Sequence, residues 1–320
     1  MPYRPIPLSR TLLDRRSFFR GTLAVLGAGG LASLGCEAAV GPRTVASGGA
    51  VTKPPEGNSR ADTTAFDDLE HDKGGRIGVY AVDLQTGMSV GHRADERFLT
   101  CSTVKTPLVA FTLRRVDLGL ESLDRSISYG QADLLEYAPK TRANLARGAM
   151  TVRELCEAAI TVSDNTAANL LFKACGGPLE LDAFLRGIGD TTSHFDRIEP
   201  DLNYSDGPGD TRDTSTPRAM VGNLQKLLLG DALSQASREL LRTWHLATST
   251  GPNRLRAGLP AAWKLAHKTG TSTGAATNDI GVAFPPDRAP LIIAVFYDDS
   301  PSPMEVREAV IAQVARICIS

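Results

Sequence analysis

Ser102 stands three residues ahead of Lys105 in Ser102-Thr103-Val104-Lys105, a spacing able to make a nucleophile. On the first turns of a helix, residues three and four apart are neighbours, so Oγ and Nζ would share a face. A serine hydroxyl attacks a carbonyl poorly unless a base takes its proton. Partial burial and crowding by a second lysine, Lys268, would equip Lys105 for that proton traffic. The plain alternative is a capping serine beside a solvated lysine. Three more short motifs follow in the chain: Ser163-Asp164-Asn165, Glu199-Pro200-Asp201-Leu202-Asn203 and Lys268-Thr269-Gly270. Taken singly, each has an ordinary explanation. Ser163 or Asp164 would cap the helix of SDNTAANLL, and Glu199 would be a surface carboxylate in a proline-containing loop. Lys268 and Thr269, on a strand edge with outward backbone N–H groups, would offer a positive charge and a hydroxyl to a carboxylate.

In this order, S-x-x-K, S-D-N, the glutamate loop and K-T-G resemble the class A serine β-lactamases. The resemblance runs from about Phe66 to the end, through RFLTCSTVK, TVRELCEAAITVSDNTAANLLF, RIEPDLN, GDTRDTSTPRAM and HKTGTSTG. It implies that Ser102 is acylated by the lactam and that Ser163 relays a proton to the leaving nitrogen. Asn165 would bond the acylamino side chain of the substrate and Lys105. Lys268, Thr269, Gly270 and Thr271 would form the substrate-binding strand, with the backbone N–H groups of Ser102 and Thr271 as the oxyanion hole. Glu199 with Asn203 would hold the water that hydrolyses the acyl-serine. The resemblance leaves the acylation base open between Lys105 and Glu199. Arg197 and Asp213 would close the neck of the glutamate loop, whose stretch from Tyr204 to Gly209 is one residue longer than the common pattern.

Other features depart from or refine that pattern. The strand after K-T-G carries no arginine, which puts Arg254 in the substrate-carboxylate role and leaves Arg256 a structural one. Tyr137 matches the aromatic that lines the entrance. Ser272 stands where many members carry glycine and is expected to widen or reorder the strand edge. The bridge that Cys101 makes in some relatives finds Ser272 at its partner position, and the partner position for Cys156 is Val109. Free, buried thiols are therefore expected. The five histidines show no metal spacing, His267 reads as a strand residue beside Lys268, and no metal or cofactor is expected. The rival readings are a D-alanyl-D-alanine peptidase and a penicillin-binding sensor that acylates without turnover. Glu199 and Asn203 argue against both.

The elements that must position these groups are legible in outline. Thr64 to His71 ends an amphipathic helix, Arg76 to Asp83 alternates as a strand, and Met88 to His92 returns after the Gln85-Thr86-Gly87 turn. From Ser102 to Leu246 the apolar period is helical, broken by one long polar loop from Asp196 to Pro217. Strand character returns in WKLAHKTGT, TNDIGVAFP and APLIIAVFYDD, before a last helix opened by Ser302-Pro303. The implied fold is mixed α/β of the β-lactamase/transpeptidase type. Residues 61–100 and 250–320 would form an antiparallel sheet with flanking terminal helices, and 101–249 an inserted all-α domain.

The segment before residue 61 reads differently. Arg15 and Arg16, Ser17-Phe18-Phe19 and a short apolar run resemble a twin-arginine export signal over residues 1–36, followed by a polar linker over 37–60. The run is too short for a stable transmembrane anchor. Cys36 marks either a lipid anchor or a neighbourhood of plain cleavage, so the mature protein is expected in the periplasm. Of 320 residues, 42% are hydrophobic and 22% charged, which fits a folded globular protein. With 35 basic against 36 acidic residues there is no field to hold nucleic acid. The expected partner is a small β-lactam, and the expected state a monomer.

Overall fold

The computed structural model describes residues 64–320 with the exception of 208 and 275, so the export segment, Cys36 and the linker lie outside the described residues. Helix α1 (Thr64–Lys73) leads into the hairpin β1 (Arg76–Asp83) and β2 (Ser89–His92), followed by β3 (Phe98–Leu99) and α2 (Lys105–Asp117). Next come β4 (Ser126–Ser128), α3 (Pro139–Ala143), β5 (Ala149–Thr151), α4 (Val152–Thr161), α5 (Asn165–Cys175) and α6 (Pro178–Gly187). After the long loop stand β6 (Thr214–Ser215), α7 (Pro217–Leu224), α8 (Gln235–Leu246) and α9 (Leu255–Gly258). The chain closes with β7 (Lys264–Thr271), β8 (Thr277–Phe284), β9 (Leu291–Asp298) and α10 (Met304–Ile319).

The main sheet is antiparallel in the order β2-β1-β9-β8-β7, so strands from both ends of the sequence share it. β1 pairs with β9 along its whole length, from Arg76 opposite Asp298 to Asp83 opposite Leu291. Because side chains alternate across a strand, Ile77, Val79 and Ala81 meet one core while Tyr80 and Val82 meet another. The first core is closed by α1 and α10 through Phe66, Leu69, Val310 and Val314. The second holds Leu108, Leu155, Leu171 and Leu224 from the helices of the other face. Both faces are covered, which is why β9 reads as a nearly unbroken apolar run.

Local sequence explains the helix starts. Thr151 and Glu154 form a reciprocal capping box at α4, and Asp164 accepts from the Ala167 N–H to cap α5. The cap of α5 is thus Asp164, which leaves the hydroxyl of Ser163 for other work. The long loop contains a short 3₁₀ turn, Asp201–Asn203, and its far end is fastened by the pairing of β6 with β3.

The sharpest packing constraint outside the site is Gly258. A Cβ there would lie 2.1 Å from the carbonyl oxygen of Ala312 and 2.6 Å from the Ala315 side chain. Backbone meets backbone, so a methyl group would push α9 and α10 apart. Gly258→Ala is expected to cost about 2–3 kcal/mol, read as a lower urea midpoint at an unchanged m-value. An unchanged midpoint would show that the two helices yield freely.

Candidate active site

The nucleophile candidate sits on a strained corner. After β3 the chain makes a 3₁₀ turn over Cys101–Val104, with Cys101 in the left-handed region at φ 47°, and enters α2 at Lys105. Ser102 and Lys105 are therefore stacked as their spacing predicts: Nζ donates to Oγ at 2.8 Å. Lys105 is fully buried. Its ammonium also reaches the Ser163 carbonyl at 3.0 Å, the Ser163 hydroxyl at 3.2 Å and Asn165 Oδ1 at 2.5 Å.

Glu199 closes the cluster. Its Oε1 lies 2.8 Å from Lys105 Nζ and accepts from Ser102 Oγ at 3.2 Å. Asn203 Nδ2 donates to Oε2 at 2.5 Å. Burial would push this carboxyl up, but the charge of Lys105 and the hydrogen bonds from Lys105, Asn203 and Ser102 together hold it below the ordinary glutamate value. An ionised glutamate thus touches the serine.

The loop carrying Glu199 is fastened at several points. Arg197 Nε meets Asp213 Oδ2 at 2.5 Å, as expected of the neck, and the Asp196 and Arg197 N–H groups both donate to Asp213 Oδ1 at 3.0 Å. The Asp213 carbonyl accepts from the Thr100 N–H at 3.0 Å and hydroxyl at 2.8 Å, which ties the neck to the chain just before the nucleophile. Asn169 was not singled out in the sequence, yet its carboxamide takes the Glu199 N–H at 2.9 Å and donates to the Glu199 carbonyl at 2.8 Å. Its place four residues after Asn165, on the same face of α5, was the available signal.

The opposite wall is β7, the edge of the sheet. Lys268 is fully buried and donates to the Ser163 hydroxyl at 2.9 Å, so that hydroxyl lies between two ammonium groups. Burial first, and then the charge of Lys105, push the Lys268 ammonium well below the ordinary lysine value. Gly270 permits the close approach of β7 to the nucleophile turn. A Cβ there would stand 2.7 Å from the Thr100 carbonyl oxygen and 3.2 Å from Cys101 Cβ.

A cavity of about 320 Å³ opens between these walls, lined among others by Ser102, Tyr137, Asn203, Arg254, Thr269 and Thr271. Tyr137 is half exposed at its mouth. Arg254 is buried and donates to Thr271 Oγ1 at 2.8 Å, to the Gly270 and Asn278 carbonyls at 2.9 Å each, and to Glu308 at 3.0 Å. Thr250, which sequence reasoning missed, pairs its hydroxyl with that of Thr269 at 2.7 Å. The aperiodic stretch around it carried no signal. The structure thus brings together every residue that the sequence nominated.

The secondary expectations sort as follows. Arg256 is structural, donating to the Trp263, Leu259 and Pro260 carbonyls. The Ser272 hydroxyl accepts from the Gly274 and Ala276 N–H groups at 3.2 and 3.1 Å and fastens the β7–β8 turn. Cys101, Cys156 and Cys175 are buried free thiols, while Cys318 is half-buried. His267 meets Asp279 at 2.9 Å as a strand residue. Among the described residues no group of His, Cys, Asp and Glu converges on the cavity. The one such cluster, Asp67, Glu70 and His92, lies elsewhere, with Glu70 bound to Arg93.

The family described as the β-lactamase enzyme family matches residues 63–320. Beta-lactamase AST-1 of Nocardia asteroides is 44% identical over 274 residues, covering 85% of this chain and 88% of its own. The carbapenem-hydrolyzing β-lactamase KPC of Klebsiella oxytoca is 46% identical over 255 residues, 79% of this chain and 86% of its own. Among solved structures, an ancestral class A β-lactamase superposes with a TM-score of 0.78 at 53% identity, covering 80% of this chain and 98% of its own.

Beneath the site, His245 bonds Thr106 Oγ1 at 2.9 Å and the Leu241 carbonyl at 2.8 Å. Burial pushes its imidazole down to about 3. Between that value and its ordinary 6.5 the unfolded chain binds a proton that the folded one refuses, so its contribution to stability falls as pH falls through this window. The stability difference between wild type and His245→Gln is expected to shrink by about 1.4 kcal/mol per unit between pH 6 and pH 4. Urea titrations at several pH values measure it, and a pH-independent difference would contradict the buried neutral imidazole.

Proposed function

The chain belongs to the class A serine β-lactamases, enzymes that hydrolyse the β-lactam amide through an acyl-serine and so confer antibiotic resistance, and we propose that Ser102 is its nucleophile. The observation that carries this assignment is the position of Ser102 Oγ, within hydrogen-bond reach of both Lys105 Nζ and the ionised Glu199. In acylation Oγ attacks the lactam carbonyl while its proton passes to one of the two groups that hold it, Lys105 or Glu199. The oxygen that gains charge is held by the backbone N–H groups of Ser102 and Thr271. Opening the ring breaks the C–N bond, and the proton taken from Ser102 reaches the nitrogen through Lys105 and the Ser163 hydroxyl that it addresses, so that Glu199 enters deacylation as a carboxylate. Asn165 and Tyr137 hold the acyl side of the substrate, and Lys268, Thr269 and Arg254 face its carboxylate.

Deacylation reuses Glu199. A water bonded to its carboxylate and to Asn203, whose Oδ1 is buried with no protein partner, attacks the ester carbonyl. Its proton passes to Glu199, and Ser102 leaves with a proton restored. A peptidase or an acylation-only sensor has no use for this carboxylate.

Export through the twin-arginine route to the periplasm, with or without a lipid on Cys36, is the companion proposal, supported by Arg15, Arg16 and the short apolar run after them. Among the described residues no helix is long and apolar enough to cross a membrane. The protein is proposed to act as a monomer.

Mixed with excess benzylpenicillin, the wild type is expected to turn over many times with only fleeting acylation. Glu199→Ala should lose about 10³-fold in turnover and accumulate a Ser102 adduct visible by mass spectrometry. A persistent stoichiometric adduct in the wild type would sink the hydrolase assignment of these residues. Arg254→Ala removes a charge-assisted partner of the substrate wall, and kcat/KM for benzylpenicillin should fall about 10- to 100-fold. A value within twofold of wild type would remove Arg254 from carboxylate binding.

A further inference from the structure

The two proposed oxyanion donors belong to different parts of the fold, the nucleophile turn and strand β7, and something must fix their separation. Asn278 lies on β8 directly opposite Gly270 and is 1% exposed. Its side chain does not face the cavity. Nδ2 donates to the Leu99 carbonyl at 2.8 Å and to the Thr100 carbonyl at 3.1 Å, the two residues that lead into Cys101 and Ser102. Only an NH₂ group can serve two carbonyl oxygens at once, which fixes the orientation of the amide. Oδ1, by contrast, is buried without a hydrogen-bond partner, so this position is suited to its two donors rather than to full satisfaction.

The backbone of the same residue points the other way. The Asn278 carbonyl accepts from Arg254 at 2.9 Å, and the same guanidinium nitrogen takes the Gly270 carbonyl at 2.9 Å. The Nδ2 atom is also one of the nearest neighbours of a Cβ built on Gly270, at 3.2 Å. One residue therefore touches the nucleophile turn through its side chain and the strand of Thr271 through its backbone and the guanidinium.

We propose that Asn278 is a positioning residue that sets the oxyanion hole, by clamping the turn bearing the Ser102 N–H to the strand bearing the Thr271 N–H. It acts through those two groups and does not touch the substrate. The inference rests on the assignment of Ser102 as nucleophile.

The test is infrared spectroscopy of the acyl-enzyme trapped by benzylpenicillin in a Glu199→Ala background. A carbonyl held by both donors is polarised and absorbs at low wavenumber. Asn278→Ala in that background is expected to move the ester band to higher wavenumber. In the otherwise wild-type enzyme the same substitution should lower kcat about 10²-fold, while non-covalent affinity for benzylpenicillin, measured with Ser102→Ala, stays within about threefold. Should Asn278→Ala fail to fold, Asn278→Ser, with a single donor, is expected to give a smaller shift in the same direction. A lowered melting temperature with an unmoved band would mean a purely structural asparagine and overturn the inference. Absence of any adduct in Glu199→Ala would sink the nucleophile assignment and this inference with it, an outcome distinct from an adduct whose band does not move.

Discussion

Two lysines buried side by side dominate the energetics of this protein. Lys105 and Lys268 are both fully buried and both reach the hydroxyl of Ser163. Removing an ammonium from water costs several kcal/mol unless partners replace the lost hydration. Lys105 has those partners in Glu199, Asn165, Ser102 and Ser163. Among the described residues Lys268 meets two oxygens, the Ser163 hydroxyl and the Thr269 carbonyl, and burial and repulsion from its neighbour disfavour its charged form. Glu199 therefore stabilises the cluster as well as being the proposed reactant: its negative charge offsets the burial of the Lys105 ammonium. This explains why a loop, the least rigid kind of element, is fastened by Asn169, by the Arg197–Asp213 pair and by Thr100 at once.

The rest of the fold brings a helix terminus and a sheet edge together around that cluster. The sheet is assembled from both ends of the sequence, so β7 and the turn before α2 meet only after strands far apart in sequence have paired. Close approach needs a residue without a side chain at Gly270, where the nearest atom, the Thr100 carbonyl oxygen, is backbone and cannot move aside. The outer layer, α1 with α10, packs its aliphatic side chains against β1, β8 and β9 on the other face of the sheet.

Sequence legibility followed the range of the interactions. The strands near both ends and the last helix are readable because their apolar runs and turn residues are local, and the four motifs are readable because each packs its chemistry into three to five residues. Asn169, Thr250 and Asn278 act on partners distant in sequence, and only Asn169 had a helical spacing to betray it. Ser272 shows the same limit in reverse. Its type suggested a change at the strand edge, but its hydroxyl had a nearer use in the turn that follows. For the two lysines, residue types alone indicated crowding without showing how unequally their partners would be shared.

The backbone carries the remaining signature of the site. Among the described residues, five other than glycine have φ in the left-handed region, and three of them, Cys101, Ser163 and Asp213, flank the proposed catalytic cluster at φ 47°, 59° and 56°. Such a conformation costs about 1–2 kcal/mol for an ordinary residue, so each must be held by its surroundings. Ser163 shows why the cost is tolerated. In a relaxed helix start a serine would cap α5 with its own hydroxyl, but the left-handed turn moves that duty to Asp164, whose carboxylate takes the Ala167, Lys140 and Thr141 N–H groups. The Ser163 hydroxyl is thereby freed to stand between the two ammonium groups, and its carbonyl to accept from Lys105. Local preference and function compete for the same serine, and the hydrogen bonds of Asp164 and Lys105 decide the outcome.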